Sequence, residues 1–320
     1  MEDAGQIAAM VNAYAMATYG RAVIEEKALV AQMQMPGLEL ESDTRLVLDE
    51  EEAVAAFAYA ADLREPHVQV NAMGTVRCQD QGRGIGRWLA DWIEERARQA
   101  IPKAPDGARV SVMQSVDDRE ASAKALLAEA GYEIIRHFWR MVIDLDAAVP
   151  VSAWPEGIEV TAFDPATDLR AAMLAGRDAF RDHWGHIESP YEEEALKRFR
   201  HRVETNPDFD PSLWFLAREG DEIVGNCYVN PRDGTDRKSG YVESLGVRPP
   251  WRRQGVGLAL LLRAFSELRM RGFERCALHV DSESLTGATK LYERAGMRVA
   301  ELNHALELEL RDGEDLSRRS

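Results

Sequence analysis

Two stretches of the chain repeat one another at a fixed distance, and that repeat constrains the fold more than composition does. Gly84 and Gly255 lie 171 residues apart, as do Gly86 and Gly257, Val76 and Val247, Arg77 and Arg248, and Leu89 and Leu260. In both copies a β-like run (residues 67–76 and 240–247) leads through a short polar loop to Gly-x-Gly and then to a long amphipathic helical pattern (84–97 and 255–270). The apolar positions are Trp88, Leu89, Trp92 and Ile93 in the first helix and Leu258, Leu261, Leu262 and Phe265 in the second. Each copy then predicts a strand (109–114 and 275–280), a short helix, and an Ala-Gly pair that opens a final strand. Gly131 and Gly296 of those pairs are 165 apart, so the first copy carries about six extra residues, placed most simply at Pro102 to Gly107.

A chain of 320 residues suits two domains of roughly 150 residues each. Between Asp144 and Gly157 two prolines interrupt a stretch with no periodicity, which predicts a linker and domains at 1–148 and 149–310. Residues 311–320 read as a polar, frayed tail. The second copy is the fuller one, with a strand at 158–162, helices at 165–180 and 191–203, and strands at 213–218 and 222–228. The first starts on a helix (4–18) and lacks that opening strand, which points to a missing or borrowed sheet edge.

Hydrophobic residues at 45% supply material for packed cores, while a formal charge of -16 repels phosphates and anionic lipid heads. Nucleic acid and membranes are therefore excluded as expected partners, and no apolar run approaches the roughly 20 residues of a membrane span. Cys78, Cys227 and Cys276 are widely spaced, with no pair suited to zinc or redox chemistry. With no basic leader ahead of an apolar run, a cytoplasmic protein is expected, as a monomer or homodimer.

Strand, loop, Gly-x-Gly and helix make an anion site, because the first N–H groups of a helix are unpaired and its dipole is positive there. A P-loop would need Gly-Lys-Ser/Thr, and neither Gly86-Arg87-Trp88 nor Gly257-Leu258-Ala259 supplies it. A dinucleotide fingerprint would need a third glycine where Arg87 and Leu260 stand. What fits is Gln/Arg-x-x-Gly-x-Gly, present as Gln81-Gly82-Arg83-Gly84-Ile85-Gly86 and as Arg252-Arg253-Gln254-Gly255-Val256-Gly257. Both copies resemble the acetyl-CoA pyrophosphate loop of the GNAT superfamily of N-acetyltransferases. The tandem arrangement resembles the two-domain branch that includes mycothiol synthase.

The resemblance implies two GNAT-like α+β domains, each a mixed, mostly antiparallel sheet flanked by helices, with acetyl-CoA as co-substrate and a small-molecule amine as acceptor. It implies that the loop from Arg252 to Leu258 holds the pyrophosphate, and that the strand edge at Leu245, Gly246 and Val247 meets the pantetheine arm and polarises the thioester. Ser284, where many relatives have Asn, would touch the cofactor. Glu243 lies four residues before Val247 and by period two shares its face; it is the expected base, against the plainer reading of an exposed strand glutamate. Leu291-Tyr292-Glu293 ahead of Ala295-Gly296 matches the family segment whose tyrosine protonates the departing thiolate. Opposite these in the first copy stand Ala72 and Leu127, so that domain is expected to be catalytically silent, with its cofactor binding open.

The stretch Phe180-Arg181-Asp182-His183-Trp184-Gly185-His186 falls where the family shapes its acceptor pocket. Phe180, Asp182, His183 and Trp184 would suit a cationic amine through charge and ring faces, or else plug the core edge. No metal is expected, since His183 and His186 lack a helix to aim them. The rival functions are a non-catalytic acyl-CoA-binding or interaction protein and a protein N-terminal acetyltransferase.

Overall fold

The computed structural model describes residues 3–145, 153–188, 191–284 and 286–317. They fall into two compact units, whose main segments are Met1–His137 with Leu302–Leu316, and Phe138–Glu188 with Glu192–Glu301. This differs from the contiguous division at 1–148 and 149–310, because each unit takes a strand from the other half of the sequence. The expected linker falls largely on residues 146–152, outside the described residues.

The first unit contains α1 (Ala4–Tyr19), α2 (Glu26–Met33), α3 (Leu40–Asp43), β1 (Thr44–Leu48), β2 (Val54–Ala61), β3 (Gln69–Val76), α4 (Ile85–Arg98), β4 (Val110–Asp117) and α5 (Ala121–Glu129). β5 (Glu133–Asp144) begins in this unit and continues into the second. The second unit contains β6 (Ile158–Ala162), α6 (Leu169–Phe180), α7 (Glu192–Thr205), β7 (Trp214–Glu219), β8 (Glu222–Asn230), β9 (Ser239–Val247), α8 (Val256–Met270), β10 (Arg275–Asp281) and α9 (Ala288–Arg294). β11 (Arg298–Arg311) begins here and ends in the first unit.

Strands of the first unit run in the order β1-β2-β3-β4-β11, those of the second β5-β10-β9-β8-β7-β6. In each, one parallel pair interrupts an antiparallel sheet: β3 with β4, and β9 with β10. These pairs hold for three residues only, from Gln69↔Ser111 to Asn71↔Met113 and from Ser239↔Arg275 to Tyr241↔Ala277. Beyond them the strands part, which opens a fork in each sheet. The α+β architecture expected for the repeat is the one present.

The exchanged strands close the sheets. β11 lies antiparallel to β4 from Asn303↔Asp117 to Arg311↔Val110, and β5 lies antiparallel to β10 from Phe138↔Asp281 to Asp144↔Arg275. The borrowed edge inferred from the missing opening strand is thus at the other end of the sheet; β6 itself has no counterpart among the described residues of the first unit. Nor are residues 311–317 a free tail. The Arg311 guanidinium donates to the carbonyls of Ile101, Pro105 and Ala108, and Glu314 exchanges backbone bonds with Gly107 and Arg109.

α8 buries Leu260, Leu261, Phe265 and Leu268 on one face of the second sheet, each apolar side chain contributing about 1.5–3 kcal/mol. On the other face α6 and α7 cover Trp214 and Tyr228, whose rings stack at 4.2 Å. In the first unit α1 and α2 pack on β2. β1 and β2 escaped the sequence reading, because Val-Ala-Ala-Phe-Ala-Tyr-Ala-Ala carries alanine, a helix former, at positions that only sheet burial explains.

Candidate active site

Both Gly-x-Gly loops fold alike. After β3 and β9 comes a single turn of 3-10 helix, Cys78–Asp80 or Pro249–Trp251. Gly84 (φ 86°) and Gly255 (φ 95°) then cap α4 and α8 in the left-handed conformation. The first N–H of each helix to return to the cap carbonyl is Trp88, to Gly84, and Ala259, to Gly255, so the N–H groups just before them face the loop. A Cβ at Gly86 would come within 3.1 Å of Leu126, and one at Gly257 within 3.1 Å of Leu291, so both helix starts lie pressed against the next helix.

The arginines are less available than their number suggests. Arg248 pairs with Asp178 and Glu222. Arg252 donates to the Val247 and Ala179 carbonyls, both at 3.0 Å, and forks onto Asp182. Arg77 pairs with Asp49 and Asp80, and Arg83 with Asp80. Arg253 is exposed, with no carboxylate partner among the described residues, and adopts φ 62° where the first loop has Gly82 at φ 76°. An anion at α8 would therefore meet backbone N–H groups and Arg253, while Arg252 pins the loop to the strand behind it.

β9 carries a bulge. Tyr228 lies opposite Ser244 but Val229 lies opposite Val242, leaving Glu243 as the extra residue. This rephases the strand: Val242, Leu245 and Val247 pack on the α8 side, whereas Glu243 turns toward α7. The expectation that Glu243 shares Val247's face is corrected by that one inserted residue. Glu243 accepts from Arg202 at 3.1 Å and from Asn230 at 3.4 Å, and the Arg202 guanidinium sits over the Phe199 and Trp214 rings at 5.1 Å. β3 runs without a bulge, with Ala60 opposite Ala72 where β8 and β9 have Val229 opposite Val242. Ala72 thus corresponds to Val242, and Glu243 has no equivalent in the first unit.

Tyr292 on α9 is 7% exposed, among Cys227, Ala295 and Met297 of the α8-side core. Burial, with smaller contributions from Cys227 and Tyr241, pushes its phenol well above the ordinary range, so it stays protonated at neutral pH and can act as a donor. At the fork Tyr241 and His279 are bonded at 2.8 Å, a pair that no sequence motif signalled and that register alone reveals.

Phe180 packs against β9, where a Cβ on Gly246 would meet its ring at 2.9 Å. His183 stands edge-on to Phe180 at 4.7 Å, its pKa lowered by burial, and Trp184 lies 6.1 Å from Phe138. Asp182, expected to meet a cationic amine, instead pairs with Arg252, which holds its carboxyl below the usual range. Ser284 bonds Thr286 at 2.9 Å on the surface ahead of α9. No group of three metal-ligating side chains occurs among the described residues, and no helix among them is long and apolar enough to cross a membrane.

Residues 176–297, spanning the second loop, β9, β10 and α9, match the model of the Acetyltransferase (GNAT) family. A mycothiol acetyltransferase of Thermobispora bispora is 31% identical over 254 residues, covering 78% of this chain and 79% of that protein. The chain belongs to the GNAT acetyltransferase family. Another mycothiol acetyltransferase, from Streptomyces scabiei, is 28% identical over 83% of this chain and 80% of its own. Among solved structures, a GCN5-related N-acetyltransferase from Sphaerobacter thermophilus is 33% identical with a TM-score of 0.78, covering 98% of this chain and 95% of that one. A tandem GNAT protein from the clavulanic acid biosynthesis pathway shares the fold at TM-score 0.71 and 14% identity, over 98% and 96% of the two chains. As a GNAT enzyme the chain is an N-acetyltransferase with acetyl-CoA as co-substrate, as its repeated loop led one to expect.

The first GNAT unit retains a cavity of about 330 Å³ at its fork. Gln81, Gly82, Gly84 and Gly86 line its mouth, β3 and β4 its sides, and α4 and α5 its floor. At one wall Tyr14 donates to Glu120 at 2.5 Å and Tyr19 to the same carboxylate at 2.8 Å. Burial and that carboxylate push both phenols upward. Neither tyrosine was singled out in the sequence, since α1 precedes the repeat.

Proposed function

We propose that the second unit carries the acetyl transfer, by direct attack of an amine on the thioester of acetyl-CoA. Backbone N–H groups from Arg253 to Leu258, with the Arg253 side chain, hold the pyrophosphate, and Arg252 keeps the loop in place. The β9 edge at Leu245, Gly246 and Val247 pairs with the pantetheine arm, and a main-chain N–H there takes the developing oxyanion. Glu243 accepts the proton from the attacking nitrogen, directly or through water, in exchange for part of its bonding to Arg202. As the tetrahedral intermediate collapses the C–S bond breaks, and the Tyr292 phenol protonates the coenzyme A thiolate. The observation that carries this assignment is that the bulged Glu243 and the buried Tyr292 both stand in the second unit, while the first has no bulge and Leu127 in place of Tyr292.

The acceptor is a small-molecule amine; its relatives named mycothiol acetyltransferases make the amine substrate of mycothiol acetylation the first to test. The loop from Gln81 to Gly86 seats a second coenzyme A pyrophosphate in the first unit, ahead of the cavity. Tyr292→Phe is expected to lower turnover at least about tenfold, followed as amine-dependent release of coenzyme A thiol, with acetyl-CoA affinity unchanged. Unaltered turnover would remove Tyr292 from the mechanism.

A further inference from the structure

The two forks are built on the same frame, so their linings can be compared residue by residue. Gly84 and Gly255 set the helix register, which places Ala90 where the second unit has Leu261 and Ile93 where it has Ala264. The shared Val76 and Val247 at the strand ends place Gly74 where the second unit has Leu245. The Ala-Gly ends of α5 and α9 place Leu127 opposite Tyr292. Three of these four exchanges remove side-chain volume from the floor of the first fork, and all four first-unit residues line its cavity. In the second unit Leu261 and Tyr292 are buried in the core, with Leu245 packed against it. A Cβ built on Gly74 would stand at ordinary contact distance, 3.8 Å, from Ala58 and Ile93, without a clash.

The pairing of β4 adds a polar group to this lining. Asp117 lies opposite Asn303 as Asp281 lies opposite Phe138, which places Gln114 where the second unit has Leu278. Gln114 is 8% exposed and lines the cavity, with its amide beside the buried Tyr132 phenol. An amide nitrogen carries two N–H groups, so a ligand carbonyl in the fork would offer this one a further partner.

We propose that the first unit is a site for a coenzyme A thioester whose acyl group is larger than acetyl. The acyl chain lies on the apolar floor made by Gly74, Leu89, Ala90, Ile93 and Leu127, and Gln114 donates to a carbonyl of the thioester or of the pantetheine arm. This rests on the assignment of the Gln81–Gly86 loop to a coenzyme A pyrophosphate. The two units then differ in ligand as well as in chemistry: the second carries Leu261, Leu245 and Tyr292 where the first has Ala90, Gly74 and Leu127, which leaves the first more room for a longer chain.

The test uses the full-length chain with Arg253→Glu, which places a carboxylate at the second loop and leaves the first as the site measured. Dissociation constants of coenzyme A, acetyl-CoA and hexanoyl-CoA are determined by calorimetry. Hexanoyl-CoA is expected to bind about tenfold tighter than acetyl-CoA or better, from its additional buried methylenes. Ala90→Leu should abolish that preference and leave coenzyme A within about twofold, and Gly74→Val serves the same purpose should Ala90→Leu fail to fold. Equal affinities for acetyl- and hexanoyl-CoA, with coenzyme A itself bound, would overturn the acyl assignment alone. If coenzyme A does not bind and Gly82→Glu changes nothing, the loop assignment falls as well.

Discussion

Each unit offers a helix opened by glycines to a fork between parallel strands, and they differ in what stands beside the fork. In the second, one extra residue in β9 turns a carboxylate toward α7, and a buried phenol approaches from α9. In the first, the strand is unbulged, the phenol is replaced by leucine, and a cavity of about 330 Å³ lies at the fork. On the proposed assignment, the difference separates coenzyme A recognition from proton handling. Recognition would reside in backbone geometry that glycines secure, and proton handling in two side chains and one β-bulge.

Deleting Glu243 would make β9 a copy of β3 and gives the largest expected effect. Turnover should fall by about a hundredfold or more, with acetyl-CoA affinity altered by only a few-fold; a deletion variant that still unfolds cooperatively and still turns over would break the comparison. Asp182→Ala frees the guanidinium that pins the second loop, a contact the first loop does not have, since Gln81 replaces Arg252. The KM for acetyl-CoA is expected to rise several-fold with little change in kcat, as for loss of binding shared by ground and transition states. If the two frames are equivalent, Gly86→Ala and Gly257→Ala should each cost about 1 kcal/mol by denaturant unfolding, because both new methyls crowd a leucine at 3.1 Å. A large inequality would show that one helix start can relax and the other cannot. The smallest expected effect is an absence of change with pH. Burial raises the Tyr292 pKa, so its proton is fully present below the ordinary phenol range and is lost only as pH rises through the raised value. Between about pH 7 and 9.5 kcat should therefore show no falling limb that Tyr292→Phe removes.

The repeat, both loops, the long helices and most strands were legible because they are written in glycine spacing and hydrophobic period, which act locally. β2 was hidden by its alanines, and Glu243 was placed on the wrong face because a bulge is set by pairing with β8 rather than by β9 itself. Asp182 looked like a selector for a cation supplied by substrate. Its partner is Arg252, seventy positions away in sequence, and no local pattern announces that bond. The Tyr14–Glu120 contact and the place of Gln114 in the cavity were invisible for the same reason: each depends on tertiary neighbours that no local pattern announces.

The exchange of β5 and β11 governs when this molecule can exist at all. The first 137 residues hold every strand of their sheet except the one lying on β4, and that strand is encoded after residue 301. A nascent chain therefore emerges with an unpaired β4 edge and keeps it until the residues past 301 have been made, a long interval in which another chain's strand could take the place. For the same reason, neither copy is a cassette. A cut between them would leave each sheet lacking the strand that the other half of the sequence provides.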